Sequence, residues 1–509
     1  MKSALISVSD KTGIVDLGKR LTALGWRILS TGGTSKTLND SGIKTTDVSD
    51  ITGFPECMDG RVKTLHPKVH GGLLARRSLE KHMQQAESLG IEMIDMVVVN
   101  LYPFKETLQK AGSTHEDIIE NIDIGGPSML RSAAKNYQDV VVLCDPNDYE
   151  AVLEKMEAGE KFEESERALF ALKVFEHTSH YDTLIAAYLQ KHTGRVEPGK
   201  TVTLTYELAQ SLRYGENPHQ KAWFLKDALV TDEAMSSFKQ LHGKELSFNN
   251  LNDLSSAIQM VREFKEPAAI AVKHTNPCGA AVGHDIATAY QLAHDADPTS
   301  IFGGIIALNR QVDRETAEKM SKIFLEIIAA PSYTEEALEV LTKKKNLRLL
   351  EIPTDKPFED SLDMKKIEGG LLIQEADHST EVPYRVVTER IPTDSEIADL
   401  LFGWKIVKHV KSNAIVLSKN DVTVSVSPGQ TSRILATENA IRQAGENVKG
   451  TVLASDAFFP FADVIDAASA AGISAIVQPG GSVNDPEVIA AANKHGIAMI
   501  FTDRRHFKH

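Results

Sequence analysis

Apolar residues recur at helical spacing at Ile14, Leu17, Leu21 and Leu24, and the short run Arg27-Ile28-Leu29-Ser30 follows with strand character. The runs Ala4-Leu5-Ile6-Ser7-Val8, Met96-Val97-Val98-Val99 and Val140-Val141-Val142-Leu143 are brief and almost wholly apolar, as strands buried on both faces are. Strands alternating with amphipathic helices predict an α/β first half built on a parallel sheet. Periodicity fails in His192-Thr193-Gly194-Arg195-Val196-Glu197-Pro198-Gly199, which gathers turn residues, so domains are expected over 1–195 and 200–509. Alternation then resumes, with strands predicted at 268–272 and 301–308 and helices around 287–293 and 334–341. A polar stretch over 346–395 divides the second half into subdomains of about 200–370 and 390–509. Beyond it, strands are predicted near 414–418, 451–454 and 475–478, and helices near 431–444 and 461–470. Lys273-His274 and Lys408-His409 form an internal echo, too short to decide whether a subdomain is repeated.

Composition narrows the function. At 509 residues the chain exceeds one core, and 42% hydrophobic with 25% charged residues is ordinary for a globular protein. A formal net charge of −14 argues against a general nucleic-acid or membrane-surface binder, whose affinity comes from many Lys and Arg contacts. Cys57, Cys144 and Cys278 are too scattered for a disulfide framework or a paired-cysteine metal site. Lys2 leads straight into a strand-like run and no apolar run reaches membrane-spanning length, so a soluble, cytoplasmic protein is expected.

Against that acidic background, two basic clusters stand out as anion sites. The first is Arg61-Val62-Lys63-Thr64-Leu65-His66-Pro67-Lys68, in which Arg61 and Lys63 share one side of an extended loop and can hold a phosphate or carboxylate together. Ser30-Thr31-Gly32-Gly33-Thr34-Ser35 leads from a strand into a helix, whose first N–H groups can receive an oxyanion. Ser9-Asp10-Lys11-Thr12 and Asn100-Leu101-Tyr102-Pro103-Phe104 each close a strand, where open parallel sheets place their ligand crevice. Asp123-Ile124-Gly125-Gly126-Pro127-Ser128 reads as a turn into a helix with Pro127 at its first position, and Arg131 and Lys135 one turn apart on it.

The second cluster is Lys273-His274-Thr275-Asn276-Pro277-Cys278-Gly279 at another strand end, with His274 a candidate general base. Zinc deaminase chemistry needs Pro-Cys-x-x-Cys, and Ala281 stands where the second cysteine would be. Cys278 is therefore read as structural.

The segments Ser-Val-Ser-Asp-Lys-Thr-Gly at 7–13, Gly-Gly-Thr at 32–34, Gly-Arg-Val-Lys-Thr-Leu-His-Pro at 60–67, Asn-Leu-Tyr-Pro-Phe at 100–104 and Asp-Ile-Gly-Gly at 123–126 resemble an inosine monophosphate (IMP) cyclohydrolase domain. Leu-Arg-Tyr-Gly-Glu-Asn-Pro-His-Gln at 212–220, Lys-His-Thr-Asn-Pro-Cys-Gly at 273–279, Ser-Asp-Ala-Phe-Phe-Pro-Phe at 455–461 and the terminal Arg-Arg-His-Phe-Lys-His are similar to aminoimidazole carboxamide ribonucleotide (AICAR) formyltransferase. Both occur in one bifunctional purine-biosynthesis family. The resemblance implies a methylglyoxal-synthase-like parallel-sheet domain, then two cytidine-deaminase-like α/β subdomains without the zinc. For ring closure it implies a nucleotide site of Ser9, Lys11, Thr31, Gly32, Gly33, Thr34, Arg61, Lys63, Thr64, Asn100, Leu101 and Ile124, with Tyr102, Asp123 and Lys135 as catalytic groups and Lys135 transferring the proton. For formyl transfer it implies His274 removing the amine proton, Lys273 orienting the amine and Asn413 supporting both. Arg213, Tyr214, Gly303, Glu326, Arg433, Phe458, Asp463 and Arg505 would hold the nucleotide, Ile434, Ser482 and Val483 would lie near the folate or nucleotide, and Phe302 and Phe458 offer flat apolar contact to a pterin or purine ring. Glu326 stands where some relatives have aspartate. The co-substrate implied is 10-formyltetrahydrofolate, without catalytic metal or redox cofactor, in a homodimer that binds neither nucleic acid nor membrane. A rival reading makes the first half a nucleotide-binding regulatory module.

Overall fold

Five short apolar segments form strands: β1 Ser3–Ser7, β2 Arg27–Ser30, β3 Thr45–Asp47, β4 Met96–Val99 and β5 Val141–Leu143. They pair in the order β3-β2-β1-β4-β5, every pair parallel. Side chains alternate across the sheet, so both faces need cover. Ala4 and Ile6 join Ile14, Leu17 and Leu21 of helix Ile14–Ala23 in one core, while Leu5 meets Val97, Val99, Met129 and Leu130 in the other. The second core also takes Val174, Tyr181 and Leu184 from the 29-residue helix Glu164–His192, which runs up to the expected linker.

The computed structural model of the chain describes residues 1–195, 197–356, 362–378 and 383–509, so Val196 of that linker lies outside the described residues. Two compact units result, Met1–Tyr206 with Asp227–Leu229, and Glu207–Lys226 with Val230–His509.

After a two-stranded sheet of β6 Tyr206–Leu212 and β7 Ala222–Asp227, the second unit builds one twelve-stranded sheet. Its first part comprises β8 Lys239–His242, β9 Ala268–Lys273, β10 Asn276–Val282, β11 Ile305–Leu308, β12 Ile327–Ala330 and β13 Arg348–Glu351. A separate hairpin of β14 Leu362–Ile367 and β15 Gly370–Glu375 intervenes. The second part comprises β16 Arg385–Val386, β17 Ile415–Lys419, β18 Val422–Ser427, β19 Val452–Ser455, β20 Ala475–Gln478 and β21 Ala498–Phe501. The order β16-β21-β20-β19-β17-β18-β10-β9-β11-β12-β13-β8 is palindromic: each part has an antiparallel edge strand, three parallel strands and a hairpin, and the hairpins meet at β18 and β10.

The repeat extends to the helices. Helix Phe248–Val261 precedes β9 as Asp394–Val407 precedes β17, each 14 residues long and opened by a capping box, Ser247 with Asn250 and Thr393 with Glu396. Such a cap contributes about 1 kcal/mol and fixes where the helix starts. Both helices pack into one core shared by the two parts, holding Leu254, Ile258, Leu400 and Trp404. Helices Ile286–Ala296, Arg314–Met320 and Glu335–Leu341 cover the opposite face of the first part, and Arg433–Ala444, Asp463–Ala471 and Asp485–His495 that of the second.

Three expectations change. The strand predicted over 301–308 starts only at Ile305, because Gly303 at φ 73° turns the chain just before it. The stretch taken as a polar separator contains the buried strand β13, whose Leu349 and Leu350 are too few to show periodicity. Lys408-His409 does not echo Lys273-His274: it sits at the end of its helix, where the first part has Arg262-Glu263. Lys408 Nζ and His409 Nε2 both reach Glu263 Oε1, at 2.9 and 2.8 Å, so these helix ends bind one another across the repeat.

Candidate active sites

In the first unit the carboxyl ends of β1, β2 and β4 gather most of the expected residues. Asn100, just past β4, accepts through Oδ1 from the N–H groups of Ser9 at 2.6 Å and Asp10 at 2.9 Å, and donates through Nδ2 to the Asp10 carbonyl at 2.8 Å. That locks the loop after β1 to the loop after β4. Thr34 Oγ1 bonds both the N–H and the carbonyl of Val8, each at 3.0 Å. Thr31 precedes helix Gly32–Asp40 without a side-chain cap, so that helix start keeps N–H groups for an anion. The ammonium groups of Lys63 and Lys11 stand over this turn: a Cβ built on Gly32 or Gly33 would lie 3.5 Å from Lys63 Nζ or 3.9 Å from Lys11 Nζ. Arg61 and Lys63 were expected to act as a pair, but they hold different carboxylates, Arg61 that of Glu120 and Lys63 that of Glu56 at 3.0 Å.

Asp123 begins the next wall. Burial raises its carboxyl pKa, opposed by backbone N–H groups that include Gly126 at 2.9 Å. Its own N–H donates to Tyr181 Oη at 2.8 Å, and that hydroxyl donates to the Asn121 carbonyl at 2.8 Å. A Cβ on Gly126 would strike Asp123 Oδ2 at 2.5 Å and Leu101 Cδ2 at 2.9 Å, so only glycine allows this approach. Thr64 Oγ1 abuts Gly125, where a Cβ would stand 2.8 Å away. Helix Gly125–Lys135 starts here, which puts Pro127 at its third position, still within the first turn that needs no proline N–H. Ile124 and Tyr102 are exposed beside it. Lys135 is the last residue of the same helix, about 15 Å along the axis from Gly125 at 1.5 Å per residue.

In the second unit Lys273-His274-Thr275-Asn276 is the two-residue turn between β9 and β10. Lys273 Nζ donates to the Phe302 carbonyl at 3.0 Å. Gly303 N–H donates to the Phe324 carbonyl at 2.8 Å, and the Phe302 and Phe324 rings lie 5.7 Å apart, both partly exposed. Glu326, at the start of β12, is engaged by Arg348 at 2.7 Å. Cys278 donates Sγ–H to the Ala271 carbonyl at 3.5 Å, and burial pushes its thiol up to about 12, away from nucleophilic use.

The remaining residues belong to the other part of the sheet. Asn413 precedes β17, donates to the Gln430 carbonyl at 2.9 Å and accepts from Arg433 Nη2 at 2.8 Å. Arg433 also donates to the Ala414 carbonyl at 2.9 Å and is ion-paired with fully buried Asp456. Its guanidinium therefore holds Asn413 in place and is buried itself. Phe458 follows β19 and Ser482-Val483 follows β20; Asn484 Nδ2 donates to the Pro460 carbonyl at 2.7 Å and ties these loops together. Asp463 begins a helix, Ile434 is partly buried in the core, and exposed Arg505 lies over Phe507 at 4.6 Å. Arg213 lies 5.1 Å over the ring of Tyr214.

Sheet register brings these groups to one edge. Ala281 pairs with Val422 antiparallel, which sets the Asn276 end of β10 beside the Ser427 end of β18. Ser427 pairs with Ile415, and Ile415 with Ser455. The His274 turn, Asn413 and the carboxyl ends of β19 and β20 thus share an edge, despite lying far apart in sequence.

The profile described as AICARFT/IMPCHase bienzyme matches residues 133–443, and the MGS-like domain profile matches residues 13–128. The "Bifunctional purine biosynthesis protein PurH" of Acetivibrio thermocellus is 57% identical over 515 residues, covering 100% of each chain. The protein of the same name from Oceanobacillus iheyensis is 55% identical over 510 residues, again covering 100% of both.

The chain belongs to the AICARFT/IMPCHase bienzyme family.

Membership makes it a bifunctional enzyme of purine biosynthesis, an AICAR formyltransferase and IMP cyclohydrolase. A solved chain titled "Crystal structure of ForH" is 38% identical, covers 36% of this chain and 95% of its own, and superposes with a TM-score of 0.34. Among the described residues no helix is long and apolar enough to cross a membrane. Within this bienzyme three residues near the sites escaped the sequence reading. Tyr181 is one aromatic among many on a long helix, and Asp253 and Asp456 lie in segments whose charge has no local pattern. Only Asp456 had a signal, as part of the Ser455-Asp456-Ala457-Phe458 motif.

Proposed function

We propose that the first unit closes the purine ring and the second transfers the formyl group, with 10-formyltetrahydrofolate as donor, in a cytoplasmic homodimer. In the first reaction the AICAR amine attacks the formyl carbon, the bond from that carbon to N10 of the folate breaks, His274 takes the amine proton and N10 gains one. Lys273 orients the amine, Asn413 supports the reacting groups, and Phe302 offers a flat apolar surface to a ring. In the second the carboxamide nitrogen attacks the formyl carbon of its own molecule and water leaves. Lys11, Lys63 and the helix start at Gly32 hold the phosphate, and holding the two reacting atoms together is worth about 7–11 kcal/mol in favourable cases. Asp123 and Tyr102 carry protons near the ring, and Lys135 is the proton-transfer group that the family resemblance assigns.

The observation that carries this reading is the pair of residue groups, one in each unit, in a chain matched end to end by bifunctional relatives. Both steps are to be assayed separately, cyclisation from formyl-AICAR. His274→Ala is expected to abolish formyl transfer and leave cyclisation intact. Lys135→Ala is expected to do the reverse; cyclisation at the parent rate would remove Lys135 from the site and leave Asp123 as its proton carrier. Formyl-AICAR that binds the first unit without forming a purine ring would favour the regulatory-module reading instead.

A further inference from the structure

The turn that carries His274 has a backbone its own residues disfavour. His274 has φ 53° and Thr275 φ 62°, the left-handed pair that a two-residue hairpin of this kind requires. Asn and Gly accept that region readily. A β-branched threonine there is an outlier, and such conformations persist only where the surroundings enforce them.

Asp253, on helix Phe248–Val261, does the enforcing. Its Oδ2 accepts from the His274 N–H at 3.1 Å and its Oδ1 from the Thr275 N–H at 2.8 Å, so one carboxylate grips both left-handed residues. The repeat supplies an internal comparison. Asp399 lies five residues into its helix, 399 − 394, as Asp253 does, 253 − 248. Asp399 Oδ1 accepts from the Asp421 N–H at 2.7 Å, in the matching turn Lys419-Asn420-Asp421-Val422 with φ 55° and 56°. That turn uses Asn and Asp, which tolerate the left-handed region, and one oxygen suffices. The turn with His274 and Thr275 takes both oxygens. The other side-chain bonds of His274, Thr275 and Asn276 are local, Thr275 Oγ1 and Asn276 Nδ2 donating to the His274 carbonyl at 2.7 and 2.9 Å, while Lys273 Nζ reaches the Phe302 carbonyl.

We propose that Asp253 is a positioning residue for formyl transfer, holding the Lys273–Asn276 turn in the conformation that aims His274 and Lys273 at the reacting amine. This rests on the reading of His274 as the base. Sequence spacing puts the two residues 21 apart, with no motif joining them.

Steady-state formyl transfer by the full chain tests it. Asp253→Ala is expected to lower kcat by about 30-fold or more with KM for AICAR within about 3-fold, since a displaced base costs turnover before binding. Asp253→Asn keeps one acceptor and should fall between. Thr275→Gly alone should change kcat by less than about 2-fold, and in the Asp253→Ala background it should recover about 5-fold or more, because glycine adopts φ 62° unaided. Because cyclisation belongs to the first unit, the denaturant midpoint of the second unit checks folding in every variant. Parent kcat in Asp253→Ala, or a loss that Thr275→Gly does not relieve, overturns the proposal. Should His274→Ala itself retain formyl transfer, the base assignment fails instead, and the two failures are told apart.

Discussion

Asp456 shows what a single buried charge demands. It is fully buried and answers the Arg433 guanidinium, the Ala414 N–H at 2.8 Å and the Ser412 hydroxyl. Removing one partner of a buried pair strands the other, which costs about 3–5 kcal/mol. Asp456→Ala is therefore expected to lower the denaturant midpoint of the second unit and release Asn413, with formyl transfer falling in parallel. A midpoint within error of the parent would show that the pair adds nothing. Gly126 sets a limit of a different kind, through space. Gly126→Ala drives a methyl group into Asp123 and Leu101, so cyclisation should fall at least about 10-fold by a misplacement argument, checked on formyl-AICAR with formyl transfer as the control.

Among elements, the ends of helices Phe248–Val261 and Asp394–Val407 are coupled by titratable groups. Burial alone would raise the Glu263 carboxyl, but His409 and Lys408 hold it below its ordinary value. Burial lowers His409 despite its bond to Glu263, so the pair is a carboxylate with a neutral imidazole. Both shifts have the same sign for stability. Each group binds protons more weakly when folded, so unfolding takes up protons and stability falls as pH drops, first below about 6.5 through His409 and then through the carboxylate range. Thermal unfolding across pH 4.5 to 8 should show this slope, and His409→Gln should flatten its upper part; an unchanged slope would exclude His409 as its source. Neither helix was among those predicted from the sequence, although capping boxes at Ser247 and Thr393 mark where they start. Short strands such as β13 were not legible either, because two leucines carry no period.

For the whole molecule, the candidate site of the first unit was nearly complete in the sequence. Ser9, Thr31 and Asn100 follow β1, β2 and β4, neighbours in a parallel sheet, and such a sheet sends every strand's carboxyl end to one edge. The second unit is different. His274 follows β9, which runs antiparallel to β11, so its turn lies at the amino ends of β11 and β12, while Phe458 and Ser482 lie at carboxyl ends. These became neighbours along one edge only because the repeat inverts at the β10–β18 pairing. The proposed dimer belongs to this scale too: gel filtration should give about twice the 55.7 kDa chain mass, and a monomer peak with full formyl transfer would refute it.

The sequence by itself determined the alternation of strands and helices, the chemical types at each strand end and membership in a bifunctional family, because periodicity, glycine turns and motifs are local properties. Only the tertiary structure decided that the second unit is one inverted repeat, that Arg433 is buried behind Asn413, that Lys135 stands a helix length from Asp123, and that Asp253 grips the His274 turn. Each of these depends on pairing between distant segments, where register and burial choose partners that no local pattern can name.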